Sequence, residues 1–211
     1  MRTAKSTWLF IFFVFAIPVL AYALVGWYQN KYEKLPVLNP AGKGENLLTQ
    51  LSAFNLINQE GRNLTNKDWD KKILVVDFFF TSCPSICPKM TAALKEVNSH
   101  FINENYLQLV SFTVDPERDS SSRLLAYARR AGLDTRHWNL ITGSKRDIYK
   151  LARNGFNVVA TDGDGGPEDF IHSDRIVLID PEKNIRGYYS GTDAGEIKQL
   201  IADITKIKNE N

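Results

Sequence analysis

The chain has 211 residues, 44% of them hydrophobic and 24% charged, and a formal net charge of +2. That length holds one well-buried domain plus an accessory segment, and the composition excludes both a disordered chain and a disulfide-dense scaffold. Arg2 and Lys5 are two of the 26 basic residues and precede a long apolar run, so the remainder carries 24 basic against 24 acidic residues. A domain balanced in this way gives no electrostatic reason to expect nucleic acid, whose binding rests on a basic face.

No charged residue occurs from Ser6 to Asn30. Residues 7–28, TWLFIFFVFAIPVLAYALVGWY, are mostly apolar and long enough to cross ~30 Å of hydrocarbon as a helix. Trp8 at one end and Trp27 with Tyr28 at the other suit the two membrane interfaces, and Pro18 is tolerated in such a helix. Ala21 and Ala23 form a small-x-small site that a signal peptidase could read, but the apolar run continues past Ala23, which favours a retained anchor. Arg2 and Lys5 favour a cytoplasmic amino terminus, against which Lys31, Lys34 and Lys43 count on the far side.

The expected organisation is an anchor over 1–30, a linker over 31–50 marked by Pro36, Pro40, Gly42 and Gly44, and one domain over 51–211. LSAFNLINQEGRNLT predicts a hairpin about Glu60 and Gly61, and ILVVDFFF, residues 73–80, a strand buried on both faces. Met90, Leu94, Val97 and Phe101 recur at helical spacing. LQLVSFTVD predicts a strand over 107–115, followed by a helix that begins near Ser120–Ser122 and stops at Gly132. Trp138–Ile141 reads as a strand, Ser144 with Asp147 as a capping box for a helix to Arg153, and Phe156–Ala160 as a further strand. A Gly-rich acidic loop over 161–171 leads to RIVLID and a hairpin turn at Glu182–Asn184. A last helix is predicted with Asp193 as cap, Glu196 as its capping-box partner, and Ile197, Leu200, Ile201 and Ile204 on its apolar face. Strands alternating with helices argue for an α/β layer fold with helices on both faces of the sheet.

Both cysteines lie within FFFTSCPSICPKM, residues 78–90. Pro88 suits the first position of a helix, which places Cys87 at its N-cap and Cys83 in the preceding turn. There the helix dipole favours thiolate. A purely structural disulfide is unattractive, because so short a loop stabilises by less than the ~3 kcal/mol expected for 15 residues. A catalytic dithiol and a metal-ligand pair remain open; the thioredoxin redox motif has two intervening residues, whereas Pro84, Ser85 and Ile86 make three.

A metal needs a further ligand, and the histidines are His100, His137 and His172. His100 on a helix flank and His137 at a strand start have structural explanations. His172 ends the acidic loop and opens a strand, a junction where side chains often carry function. Two thiolates and an imidazole suit copper in either oxidation state, while structural zinc ordinarily takes four protein ligands.

VVDFFFTSCPSICPKM, SFTVDPERDS and HSDRIVLIDPEKNIRGYYSG, in that order, resemble the Sco/SenC family of membrane-anchored, copper-binding, thioredoxin-like proteins. The resemblance covers about residues 50–205 and includes the anchor. It implies a thioredoxin-like central mixed sheet with helices on both faces, preceded by one transmembrane helix. It also implies a metallochaperone that binds copper through Cys83, Cys87 and His172, on the periplasmic side of a bacterial cytoplasmic membrane. Its partners are then the dinuclear-copper subunit of cytochrome c oxidase and an upstream thiol reductant or copper donor. Where the family commonly carries an acidic residue directly before the ligand histidine, this chain has Ile171; Asp169 or Asp174 could instead orient the imidazole. Asp115 and Asp119 read as turn and helix-cap residues. The alternative function is thiol-disulfide exchange by the same cysteine pair. Peroxide reduction fits less well, because the chain has no separate resolving thiol.

Overall fold

The computed structural model describes residues 3–32, 34–38, 55–158 and 173–210. It divides into two units, Met1–Lys34 and Leu35–Asn211. The first is a single helix, α1 (Thr3–Tyr32), with Pro18 inside it. Its stretch Trp8–Gly26 has a mean hydropathy of 2.6 and is long and apolar enough to cross a membrane.

The second unit is built on one seven-stranded sheet. Its strands are β1 (Leu56–Asn58), β2 (Asn63–Leu64), β3 (Ile73–Phe79), β4 (Leu107–Thr113), β5 (Trp138–Thr142), β6 (Arg175–Ile179) and β7 (Ile185–Ser190), in the spatial order β2-β1-β5-β4-β3-β6-β7. The middle three are parallel, with Val76 opposite Val110 and Leu109 opposite Trp138, and β6 runs antiparallel to β3 with Val177 opposite Val76. Parallel neighbours require crossovers, and α2 (Ile86–His100) and α3 (Ser121–Ala131) supply them. A short helix α4 (Lys145–Lys150) runs into a π turn (Leu151–Gly155), and α5 (Ala194–Glu210) closes the described chain.

The period-2 alternation of the strands sorts their side chains into two apolar layers. Ile73, Val75 and Phe79 of β3 pack with Cys87, Met90, Leu94 and Val97 of α2, Leu124 of α3, and Leu200 and Ile204 of α5. Leu74, Val76 and Phe78 face the other way, onto Trp69, Ile148, Tyr149 and Phe156. Helices therefore cover both faces, and β3 is buried along its whole length, as its apolar run predicts.

Helix α3 is capped by Ser120, where its start was expected, and α4 by Ser144; their side chains accept from the Arg123 and Asp147 N–H groups, only the Ser144 half of the expected capping box is made, and Gly132 ends α3 at φ 63°. Asp193 Oδ1 accepts from the Gly195 and Glu196 N–H groups at 2.7 and 3.0 Å. Glu196 does not complete a capping box; its carboxylate accepts from the Ser190 N–H at 2.6 Å and ties α5 to the end of β7. Over the described part of Phe156–Ala160 there is no strand. The Phe156 and Val158 N–H groups are taken by the Leu151 and Ala152 carbonyls of the π turn, and Asn157 has φ 51°, so the two apolar side chains reach the core from a helix end. Residues 39–54 and the acidic loop lie outside the described residues.

Residues 35–38 lie on the domain. The Leu38 N–H donates to the Ile185 carbonyl at 2.7 Å and the Leu35 N–H to Glu210 Oε1 at 2.9 Å. Arg186, 8% exposed, holds the same segment through the Leu35 and Pro36 carbonyls while pairing with Asp180 and Glu210.

Candidate metal centre

The cysteines stand where β3 hands over to α2, at the carboxyl end of a central strand. Helix α2 starts at Ile86 with Ser85 as N-cap, so Cys87 is the second helical residue and Pro88 the third, two positions later than the sequence predicts. Proline is still tolerated there, because the first four N–H groups of a helix have no partner within it.

Cys87 is buried, 3% exposed, and Cys83 is half-buried. The two thiols are free and hydrogen-bond each other. The Cys87 N–H also points at Cys83 Sγ, 3.4 Å away. Burial alone pushes the Cys83 thiol up, but the Cys87 thiol and the N–H groups of Cys87, Ser85 and Ile86 outweigh it and lower its pKa. Cys87 is pushed up to about 12 by burial, by donating to Cys83, and by the negative charges of Cys83 and Asp77. One sulfur is thus the accessible thiolate and the other a deep thiol.

Under Cys87 on the same face of the sheet lies Asp77, 2% exposed. Its carboxyl accepts from the Ser111 hydroxyl, and Ser111 Oγ accepts from Trp138 Nε1 at 2.8 Å. Burial raises the Asp77 pKa to about 7, with the Ser111 hydrogen bond opposing it. Its place inside the apolar run VVDFFF was the signal that sequence reading left unused: a strand buried on both faces has no exposed position for an acid.

Asp119 also departs from its sequence assignment. Ser120, not Asp119, caps α3. Asp119 is 1% exposed and accepts from the Thr81 N–H at 2.9 Å, the Thr81 hydroxyl and the Thr113 hydroxyl. Asp115 is a turn residue as predicted, its carbonyl accepting from the Arg118 and Asp119 N–H groups.

His172 lies outside the described residues, and among the described residues no three His, Cys, Asp or Glu side chains converge on a metal position. The chain just after it can be followed. The Asp174 carbonyl accepts from the Gly191 N–H at 2.7 Å, and a Cβ on Gly191 would stand 2.9 Å from Met90 Cγ and 3.2 Å from that carbonyl. Met90 is one helical turn beyond Cys87, so residues 173–174 are held beside the first turns of α2. The Asp174 carboxylate accepts from the Ser190 and Thr192 hydroxyls, which commits it to the turn before α5. His100 is exposed at the last turn of α2, its ring edge-on to Phe101, and His137 precedes β5 with its carbonyl accepting from Leu109; both are at the ends of their elements remote from the cysteines.

Residues 44–209 match the SCO1/SenC family model. The chain belongs to the SCO1/SenC family. It is similar to the SCO1 protein homolog of Bacillus subtilis, 28% identical over 157 residues that make up 74% of this chain and 81% of that one. Of the mitochondrial relatives it matches, it spans about half the length. Among solved structures it resembles BsSco, a member of the Sco family of cytochrome c oxidase assembly proteins with an identified disulfide switch. The TM-score is 0.67 and the identity 26%, with 84% of this chain and 98% of that one covered. It also resembles Arabidopsis thaliana ScoI with copper bound, with a TM-score of 0.60 and 26% identity over 75% of this chain and 97% of that one. These likenesses agree with the thioredoxin-like mixed sheet that the family resemblance implied and with the α/β layers read from the sequence pattern.

Proposed function

We propose that the protein is a membrane-anchored copper chaperone that holds one copper ion on Cys83, Cys87 and His172 and delivers it to the copper-site subunit of cytochrome c oxidase. The observation that carries this reading is the pair of free, mutually hydrogen-bonded thiols at the start of α2, with residues 173–174, which follow His172, held through Gly191 beside Met90 one turn further along that helix. Two sulfurs and an imidazole form a donor set that accepts copper in either oxidation state, and the half-buried position leaves an approach for a partner's ligands. Cys83 offers the first thiolate. Cys87 binds by losing its proton, which makes loading release protons and slows it at low pH. Release proceeds by ligand exchange from Cys83, the more accessible donor, inward to Cys87. In this reading residues 1–30 anchor the chain, 31–50 connect, and 51–211 carry the site on the periplasmic side.

A second reading, reduction of the client's own cysteine pair, is favoured by the same asymmetry. The half-buried, more accessible thiol of lowered pKa attacks and the buried neighbour resolves, as disulfide exchange requires. The disulfide has to be reduced before copper binds, so the two activities fit one cycle served by an upstream thiol reductant. His172→Ala separates them: copper retention is expected to fall at least tenfold while exchange with a model disulfide stays at the wild-type rate. Equal loss of both activities contradicts the assignment of His172 as a ligand.

A further inference from the structure

We propose that Asp119 is a positioning residue for Cys83, holding the stem of the cysteine loop through Thr81 without touching the metal; the proposal rests on the copper reading above. Thr81 stands two residues before Cys83. Asp119 Oδ2 accepts both the Thr81 N–H, at 2.9 Å, and the Thr113 hydroxyl, at 2.7 Å, while Oδ1 accepts the Thr81 hydroxyl. Arg123 Nε lies 3.5 Å from Oδ1 and donates to Thr81 Oγ1 at 3.0 Å. Both donors of Thr81 are therefore committed to a carboxylate that comes from a different loop and is itself bolted to the end of β4.

Burying a carboxylate is costly unless every lone pair finds a donor, and this one is supplied from three groups and faced by a cation. Neither ordinary explanation accounts for it. The cap of α3 is Ser120, and the turn over 115–119 is closed by the Asp115 carbonyl. What the carboxylate does hold is the backbone that leads to Cys83. The two sulfurs differ in how they are fixed: Cys87 is locked into a helix with its side chain in the core, whereas Cys83 sits on the preceding loop, where its N–H donates to the Phe80 carbonyl at 3.2 Å, the Cys87 N–H points at its sulfur, and the rest of its placement comes from the stem. The distance between the sulfurs thus depends on the stem, and Asp119 sets the stem. Holding it pre-organises the pair for a shared metal and for a shared disulfide alike.

The test uses the full chain in detergent, with Asp119→Asn and Thr81→Val to break the clasp, Thr81→Ser to restore its hydroxyl, and Leu56→Ala in the opposite core layer as a destabilised control. The first readout is free of metal: equilibration with glutathione, in which the dithiol loses two electrons and two protons to form the Cys83–Cys87 disulfide and one oxidised glutathione becomes two reduced ones. The equilibrium constant for disulfide closure is expected to fall about tenfold or more in Asp119→Asn and Thr81→Val, in proportion to lost pre-organisation. It returns to the wild-type value in Thr81→Ser and is unmoved in Leu56→Ala, despite that variant's lower Tm. The second readout is the rate at which added copper passes to a chelator, expected to rise in the same two variants. If the wild type retains no copper, the copper reading fails and the glutathione constants still judge the clasp. Constants that follow Tm across all four variants, Leu56→Ala included, overturn the proposal, and so do unchanged constants in Asp119→Asn and Thr81→Val. Should Asp119→Asn not fold, Thr81→Val carries the same decision.

Discussion

The two ends of the central sheet both bury charge, and they use it differently. At the end remote from the cysteines, Arg186 meets Asp180 at 3.1 Å, Glu210 at 2.7 Å and two backbone carbonyls, and Lys183, 3% exposed, donates to the Trp69, Lys72 and Pro181 carbonyls. Each cation there closes several chain segments together, and Arg186 includes residues 35 and 36 among them. At the cysteine end Asp119 is paired just as fully, but the groups nearest the sulfurs are not: Asp77 has one side-chain donor, Ser111, and Cys87 has its hydrogen bonds to Cys83 and Phe80. Fully paired charge fixes the fold, whereas sparsely paired groups keep a proton that can be exchanged.

The sharpest way to break the comparison is Arg186→Ala. It leaves Asp180, Glu210 and two carbonyls without their shared donor, and the expected loss is about 3–5 kcal/mol of stability, read from the urea midpoint. A loss no larger than that of a surface substitution removes the idea that this end is a structural bolt. Copper binding by the surviving folded fraction should be unaffected, because the network touches neither cysteine.

Asp77 should respond to pH instead. Its folded-state pKa is about 7 against an ordinary 3.8, so between those values the unfolded chain releases a proton that the folded chain keeps. The stability this contributes is fully present below about pH 4, is lost as pH rises through 7, and amounts to at most about 4 kcal/mol. The difference in stability between wild type and Asp77→Asn should therefore move steadily against the wild type from pH 4 to 7 and level off above. A difference that is flat across that range shows Asp77 to be ionised throughout.

Gly191→Ala probes the contact that holds residues 173–174 by α2. The new Cβ meets Met90 Cγ at 2.9 Å and the Asp174 carbonyl at 3.2 Å, so one of them must move, at a cost of about 1–3 kcal/mol. Copper retention should weaken with it. Intact copper binding beside a lowered Tm shows that the position of His172 does not depend on this contact. At the bottom of the scale, Arg136→Ala removes an ion pair with Asp134 from a residue that is 71% exposed, and no change in Tm is expected.

Much of this contrast was legible in the sequence, and the remainder was hidden for physical reasons. The β3 run, the α2 face from Met90 to Val97, the Ser120 and Gly132 ends of α3, and the cysteine spacing all follow from short-range rules, and so each was found. Asp119 was misread because a capping residue and a buried acceptor have the same local pattern; only the return of Thr81 and Thr113 to one place distinguishes them. Arg186 and Leu35 are about 150 residues apart and share no local signal at all. Phe156 and Val158 alternate like a strand, yet a π turn delivers them to the same core.

The most direct test of the central claim is an anaerobic copper titration of the fully reduced chain beside Cys83→Ser and His172→Ala. The account predicts one copper per chain with thiolate-to-copper charge transfer in the wild type, lost in Cys83→Ser and weakened at least tenfold in His172→Ala. Saturation in both variants at the wild-type affinity, or no saturable copper in a wild type whose dithiol still exchanges disulfides, contradicts it.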